Sequence, residues 1–223
     1  MHVEVPKSHS FKEFAGEYVM IVVSIITALA LENAVHRYHQ NHRAHEAARN
    51  IDAEIVANIA EVRSVIKQNQ AQIDKTTKMK ELLLADIKAG VADKEAVKHA
   101  VEGGGGNFGI SMVTPSLLHE AWDVAVANQS LTYMPTERLK HYATQYATMR
   151  DTQVVLSNRG TSFLDYTQIA NTFSAFELGE VNSRDFYRVL TQMNSTYDAT
   201  NSMLKGLEKM LVEEQRQTLK LDH

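Results

Sequence analysis

The chain has 223 residues, of which 44% are hydrophobic, a formal net charge of -4 and no cysteine. That length and apolar content support one packed domain of ordinary size. The acidic balance, with no cluster of Lys and Arg, argues against a nucleic-acid partner, because phosphate binding needs concentrated basic charge. A chain without thiols excludes disulfide staples and thiolate metal sites.

The first element is the apolar run Tyr18 to Leu31, YVMIVVSIITALAL. Length alone fits a buried core helix or a leader as well as a membrane span. Extension back to Phe14 gives about 18 residues and ~27 Å of helix, close to the ~30 Å hydrocarbon core, with Glu17 at the headgroup level. Each Val, Ile or Leu favours insertion by roughly 0.3 to 0.6 kcal/mol, and their sum outweighs one carboxylate near the end. Tyr18 and Tyr38, ~30 Å apart on a helix, are spaced to mark the two interfaces. The competing reading is a secretory leader, with Lys7 and Lys12 as its basic region and Ala28-Leu29-Ala30 as its cleavage pattern. The expected division is a short tail at 1–13, an uncleaved transmembrane anchor at 14–35 and an extramembrane helical bundle at 36–223. Lys7 and Lys12 precede the span while Arg37, Arg43 and Arg49 follow it, so flanking charge does not set its orientation.

No Pro or Gly follows the span until Gly90, and Ile51, Ile55, Ile59, Val62, Ile66 and Ile73 recur at helical spacing, with Asn69 filling one layer. The anchor is therefore predicted to continue as one long helix, and 70 unbroken residues, ~105 Å, would hold the domain clear of the membrane. A bend between Asn33 and Asn41 is the alternative. Asp93 is predicted to cap a short helix to Glu102, which the glycines 103–106 stop, with 103–109 as a flexible loop. Thr114 and Pro115 read as the start of a helix bearing Leu118, Ala121, Trp122 and Ala125, with Trp122 as a core anchor. From Pro135 one seam runs through Leu139, Tyr142, Tyr146, Met149, Gln153, Leu156, Gly160, Phe163, Thr167 and Ala170 to a stop at Gly179. Ser183 caps the last helix, whose seam is Phe186, Leu190, Met193, Tyr197, Thr200, Leu204, Leu207 and Leu211. No segment reads as a strand. The expected fold is all-α, one N-terminal transmembrane helix continuing into a long helix, plus an antiparallel helical bundle with coiled-coil-like packing.

Among chemistry-bearing residues, His36, His39, His42 and His45 stand three apart just past the span. On a helix each step of three drifts by ~60°, so only neighbouring pairs share an ion and a complete site needs ligands from another helix or subunit. These four are the candidate cofactor-binding residues; their bland reading is a polar interfacial collar. Gly104 to Gly109 matches G-x-G-x-x-G, but no strand precedes it and no helix opens on its last glycine, so a nucleotide site is not expected. Glu32 and His36, Glu95 and His99, and Glu137 and His141 stand four apart as ordinary helix-face pairs. No Glu-x-x-His, nucleophile-elbow or zinc-protease spacing occurs. No catalytic residue, metal or cofactor is expected on these grounds.

Gly16-Glu17 before the apolar run, Ala30-Leu31 and Asn33 after it, and then Ala121-Trp122, Asn128 to Leu131, Leu139 and Tyr146 resemble a broad family of uncharacterised bacterial single-span membrane proteins. The resemblance covers residues 1–60 and 115–150. It departs at Asn33-Ala34-Val35-His36, where such anchors often carry Asn-Trp-Asn-Glu. It implies an N-terminal anchor with a helical extramembrane domain, and it carries no activity over to this chain. The function expected is that of a non-enzymatic accessory or scaffolding subunit of a larger bacterial inner-membrane complex, with most of the chain in the periplasm. Its partners would be the lipid bilayer and other membrane-protein subunits or copies of itself, with no nucleic acid. Two further classes are a ligand-sensing bundle without its own transmitter, and a metal or cofactor binder through the histidine collar.

Overall fold

The computed structural model describes residues 11–109, 111–162 and 166–221, with no side-chain description for 11–13, 159–162 or 166. Six α-helices follow in order: α1 Phe11–Ala89, α2 Asp93–Gly103, α3 Glu120–Ala127, α4 Thr136–Ser162, α5 Tyr166–Leu178 and α6 Ser183–Lys220, with a 3-10 turn at Ser130–Tyr133 between α3 and α4. Among the described residues there is no strand, and the fold is all-α. Most of the expected tail at 1–13 lies outside the described residues, as does Phe163 of the predicted seam.

Helix α1 is continuous for 79 residues and passes through Asn33–Asn41 without a break. Its amino-terminal part is long and apolar enough to cross a membrane: an 18-residue window has mean hydropathy 2.1, and none of it is buried. The rest of the chain first meets α1 at Gln40, whose Nε2 donates to the Tyr133 hydroxyl at 3.0 Å. Buried positions begin at Ala44. The bundle thus starts a few residues beyond the apolar stretch, and α1 is its spine. The expectation of a stalk holding the domain at a distance is corrected accordingly: the second half of the helix is spent inside the domain.

The chain makes three passes along this spine. Helix α6 runs antiparallel to α1, pairing Asn194 with Thr76 and Thr77, Asn201 with the Ile66 carbonyl, Glu208 with Arg63 and Gln215 with Asp52. All eight predicted seam residues of α6 are buried, as a wide apolar stripe on a core-facing helix requires. Helix α4 ascends beside α6, with His141 on Glu214 and Gln145 on the Leu211 carbonyl. Helix α2 descends along the far end of α1, where a methyl on Gly103 or Gly104 would run into Leu82 or Met79. Gly105 and Gly106 then take φ of 111° and 81°, and Phe108 tucks under α5 and α6 with ring centroids 4.4 Å from both Phe173 and Phe186.

Between α2 and α3 the descending pass is not helical. Residues 111–119 form a strap without regular secondary structure, so the helix predicted from Thr114 begins only at Glu120. The strap's peptide groups are taken up by side chains of α1. Asn69 pairs with both the N–H and the carbonyl of Val113 (3.0 and 2.9 Å), and Asn58 does the same for Leu118 (2.8 and 2.9 Å). Glu61 accepts from Ser116 N, and Glu54 from Ala121 N. The register follows from two rises: from residue 58 to 69 a helix climbs ~16.5 Å, and from 113 to 118 an extended chain covers the same ~16.5 Å. Pro115, with no N–H to satisfy, sits between the two anchored peptides.

The ends of helices shift by small amounts for a shared reason. The cap of α2 is Ala92, which offers no side-chain bond, and that of α6 is Asn182, which accepts from Arg184 N and Asp185 N. Asp93 and Ser183, predicted as caps, are instead the first helical residues and bond to each other, tying the two helix starts together. The seam predicted from Pro135 divides between α4 and α5. Its buried line is Tyr142, Gln145, Tyr146, Met149, Thr152 and Leu156, then Ile169 and Thr172, leaving Gln153, Thr167 and Ala170 exposed. Within α4 the line passes through Thr152 instead of Gln153, and α5, a separate helix, sets a facing line of its own.

Asn58→Ala is expected to cost about 2 to 4 kcal/mol, because one buried N–H and one buried carbonyl of the strap lose their partners. Urea unfolding of the detergent-solubilised chain, followed by circular dichroism, reads the loss against Gln68→Ala on the exposed face. Equal midpoints for the two variants would show that Asn58 does not hold the strap.

Candidate functional site

Where the strap passes into α3 it forms a cleft with α4. Trp122, in the first turn of α3, lies over Tyr146 with ring centroids 5.0 Å apart and planes at 24°. A cavity of about 450 Å³ opens beside this stack, walled by Leu117, Trp122, Tyr146 and Met149, with His119, Asp123 and Arg150 among its polar residues. Trp122 is half-buried. It packs against the main apolar cluster, as a core anchor does, and its remaining surface lines the cleft.

The cleft is braced from α1. Glu54, 9% exposed, accepts the Tyr146 hydroxyl on Oε1 at 2.5 Å and the Ala121 N–H on Oε2 at 2.8 Å. One carboxylate therefore ties α3, α4 and α1 together. One turn below, the Tyr142 hydroxyl donates to Asp52 Oδ1 at 2.8 Å, and Gln215 Nε2 donates to the same oxygen at 2.9 Å. Burial, followed by the neighbouring carboxylates, pushes both phenols well above the usual tyrosine range, so both remain hydrogen-bond donors. Burial also raises Tyr197, whose hydroxyl receives the Ser111 N–H where the strap begins.

At the rim, His119 Nδ1 lies 2.7 Å from Asp123 Oδ2, with both side chains largely exposed. The hydrogen bond to Asp123, then its charge, raises the imidazole above its ordinary value. Glu120 is held below the usual carboxylate range by the N–H groups of its own residue and of His119. The cleft offers an aromatic wall and an ionisable rim, an arrangement suited to holding a flat apolar group with an acidic substituent.

The other candidates lie apart from this cleft. His36, His39, His42 and His45 are all exposed on α1, and His39 meets Tyr38 edge-on at 5.9 Å. Among the described residues no group of three or more His, Asp or Glu gathers to hold a metal ion. The paired histidines choose partners across helices: His99 takes Asp86 of α1 at 2.7 Å, and His141 takes Glu214 of α6 at 2.6 Å, while Glu137 pairs with Lys140. Inter-helix carboxylates outcompeted the predicted partners four residues back. The spacing of apolar residues does not mark Asp52, Glu54, Asn58 and Asn69 as a polar set. The signal that could have found them is polar residues recurring on the face that carries Ile51, Ile55 and Val62. No family model, curated protein or solved structure matches the chain.

Because its charged form is stabilised, His119 should titrate above the 6.5 of free imidazole. Its contribution to stability is then complete below that value and lost as pH rises through the folded pKa, and exposure keeps it small. Proton NMR of the imidazole should show Asp123→Asn moving the midpoint back toward 6.5; an unmoved midpoint would exclude Asp123 as the cause. Tyr146→Phe should destabilise by about 1 to 3 kcal/mol through the partly unsatisfied Glu54 carboxylate, read by the same unfolding measurement. A midpoint equal to that of the parent chain would remove Glu54 as a brace of the cleft.

Proposed function

We propose that this chain is a non-enzymatic, membrane-anchored helical-bundle protein, an accessory or scaffolding subunit of a larger complex in a bacterial inner membrane, working by docking onto partners. The observation that carries the reading is the bare apolar stretch of α1 continuing without a break into the bundle. Support comes from the outer face between α1 and α6, where a cavity of about 530 Å³ is lined by Val56, Val212 and Leu219. These are 57%, 38% and 50% exposed, and Arg63 and Arg216 flank them. An apolar strip with a charged rim is the usual anatomy of a docking patch. Within this reading the bundle lies on the periplasmic side.

A second reading, ligand sensing, rests on the Trp122 cleft. Calorimetric binding of indole-3-acetate that is lost in Arg150→Ala would favour it. For the leading reading, the chain should stay in the pellet after a carbonate wash of native membranes. Blue-native electrophoresis after mild extraction should give a species well above the 25.0 kDa chain, diminished by Val56→Asp combined with Val212→Asp. A small monomer from both parent and variant would overturn docking.

A further inference from the structure

The membrane-side end of the bundle is built around the 3-10 turn Ser130–Tyr133. The chain leaves α3 through Gln129, a non-glycine residue at φ 61°, and this left-handed step turns it under the bundle. Met134 then plugs back into the core, 7% exposed, and Pro135 leads into α4. Tyr133 is left 41% exposed with its hydroxyl against Gln40 Nε2. On α1 itself Tyr38 is 71% exposed.

The height of this turn is set by α1, since the helix is continuous from the apolar stretch to the contact. Gln40 stands five residues beyond Val35, a rise of ~7.5 Å. The headgroup region of one leaflet is about 5 to 7 Å deep, half the difference between the full bilayer and its hydrocarbon core. The two lengths coincide. Tyrosine is a side chain suited to that layer, its ring apolar and its hydroxyl wet. Arg37 and Arg43, both exposed on α1, flank the same level, and cations there are drawn to anionic lipid. Of the nearby acids, Glu137 is engaged by Lys140, Glu46 stands further up the helix, and Glu32 lies below Val35 on the side of the span.

We propose that the turn 129–133, with Tyr133 and Tyr38 as its contacts, rests in the headgroup layer of the bilayer that anchors the chain. This rests on the membrane reading of α1 and adds a second attachment to it. A bundle held by the span and the turn together cannot swing about α1, and its outer groove faces a fixed direction at a fixed height. Val56, 21 residues beyond Val35, then lies ~30 Å above the hydrocarbon edge, which limits docking partners to those with a domain at that level.

The chain has no cysteine, so single spin labels can be placed without background. Ile25→Cys, Thr132→Cys and Val91→Cys mark the span, the turn and the far end of the bundle. Each full-length labelled protein is reconstituted in vesicles of phosphatidylcholine and phosphatidylglycerol. Collision with oxygen, which concentrates in lipid, is compared with collision with water-soluble chromium oxalate. The oxygen-to-chromium ratio should be highest at 25, several-fold lower at 132, and several-fold lower again at 91. Tyr133→Asp should bring the ratio at 132 down toward that at 91. A ratio at 132 equal to that at 91, with 25 still in lipid, overturns this inference and leaves the anchor standing. A low ratio at 25 overturns the membrane reading and this inference with it. An unchanged ratio at 132 in Tyr133→Asp overturns the role given to the tyrosine.

Discussion

Two buried amides on α1 set the geometry that the rest of the bundle accepts. Asn58 and Asn69 are fully buried among aliphatic layers, a placement that costs several kcal/mol unless every polar atom is bonded. Each meets the cost by offering a donor and an acceptor to one residue of the strap, as a neighbouring strand would. The pairing also explains why 111–119 is not a helix. A helix from 113 to 118 would climb ~7.5 Å and could not reach both amides, which stand ~16.5 Å apart. Sliding the strap by one residue would strand both pairs, so the register of the descending pass is fixed by α1.

Beside α4 the polar interior repeats this logic with carboxylates. Asp52 and Glu54 each collect a tyrosine hydroxyl of α4 and one further donor, from α6 and α3 respectively. Aliphatic packing alone would let α4 rotate or slide against its neighbours, because hydrophobic contact is non-directional. Tyrosine hydroxyls on fixed carboxylates remove that freedom. The Trp122 cleft inherits its rigidity from the same source, since its floor ring, Tyr146, is held through Glu54.

What the sequence makes legible divides along physical lines. The unbroken course of α1 is decided only by the structure, since its pattern also admits a bend at 33–41, whereas the periodic burial of α6 and the all-α class follow from patterning that has no competitor over long segments. The strap does not: Thr114-Pro115 is a good helix start locally, and the amides that override it lie 44 and 60 residues away. The same holds for Asp93 and Ser183, whose local capping potential is spent on each other across 90 residues. The cleft was legible only in part. Trp122 and Tyr146 stood out as aromatics at core spacing, but that spacing carries no information on which of them faces an opening.

The amino-terminal quarter of α1 poses the sharpest energetic question in the molecule. Phe14, Tyr18, Val19, Met20, Ile21, Val23, Ile25, Ile26, Leu29 and Leu31 are all more than half exposed. Burying such a side chain is worth roughly 1.5 to 3 kcal/mol, so leaving this set in water forfeits on the order of 15 kcal/mol or more. That matches or exceeds the whole folding stability of a typical domain, about 5 to 15 kcal/mol. The bundle leaves the stretch bare along its length, and the helix that bears it is held straight by the bundle at its other end. A stretch of this length, apolar around its full circumference, presents no single face for another helix to cover. Lipid covers every face at once, which is what the proposed anchor requires.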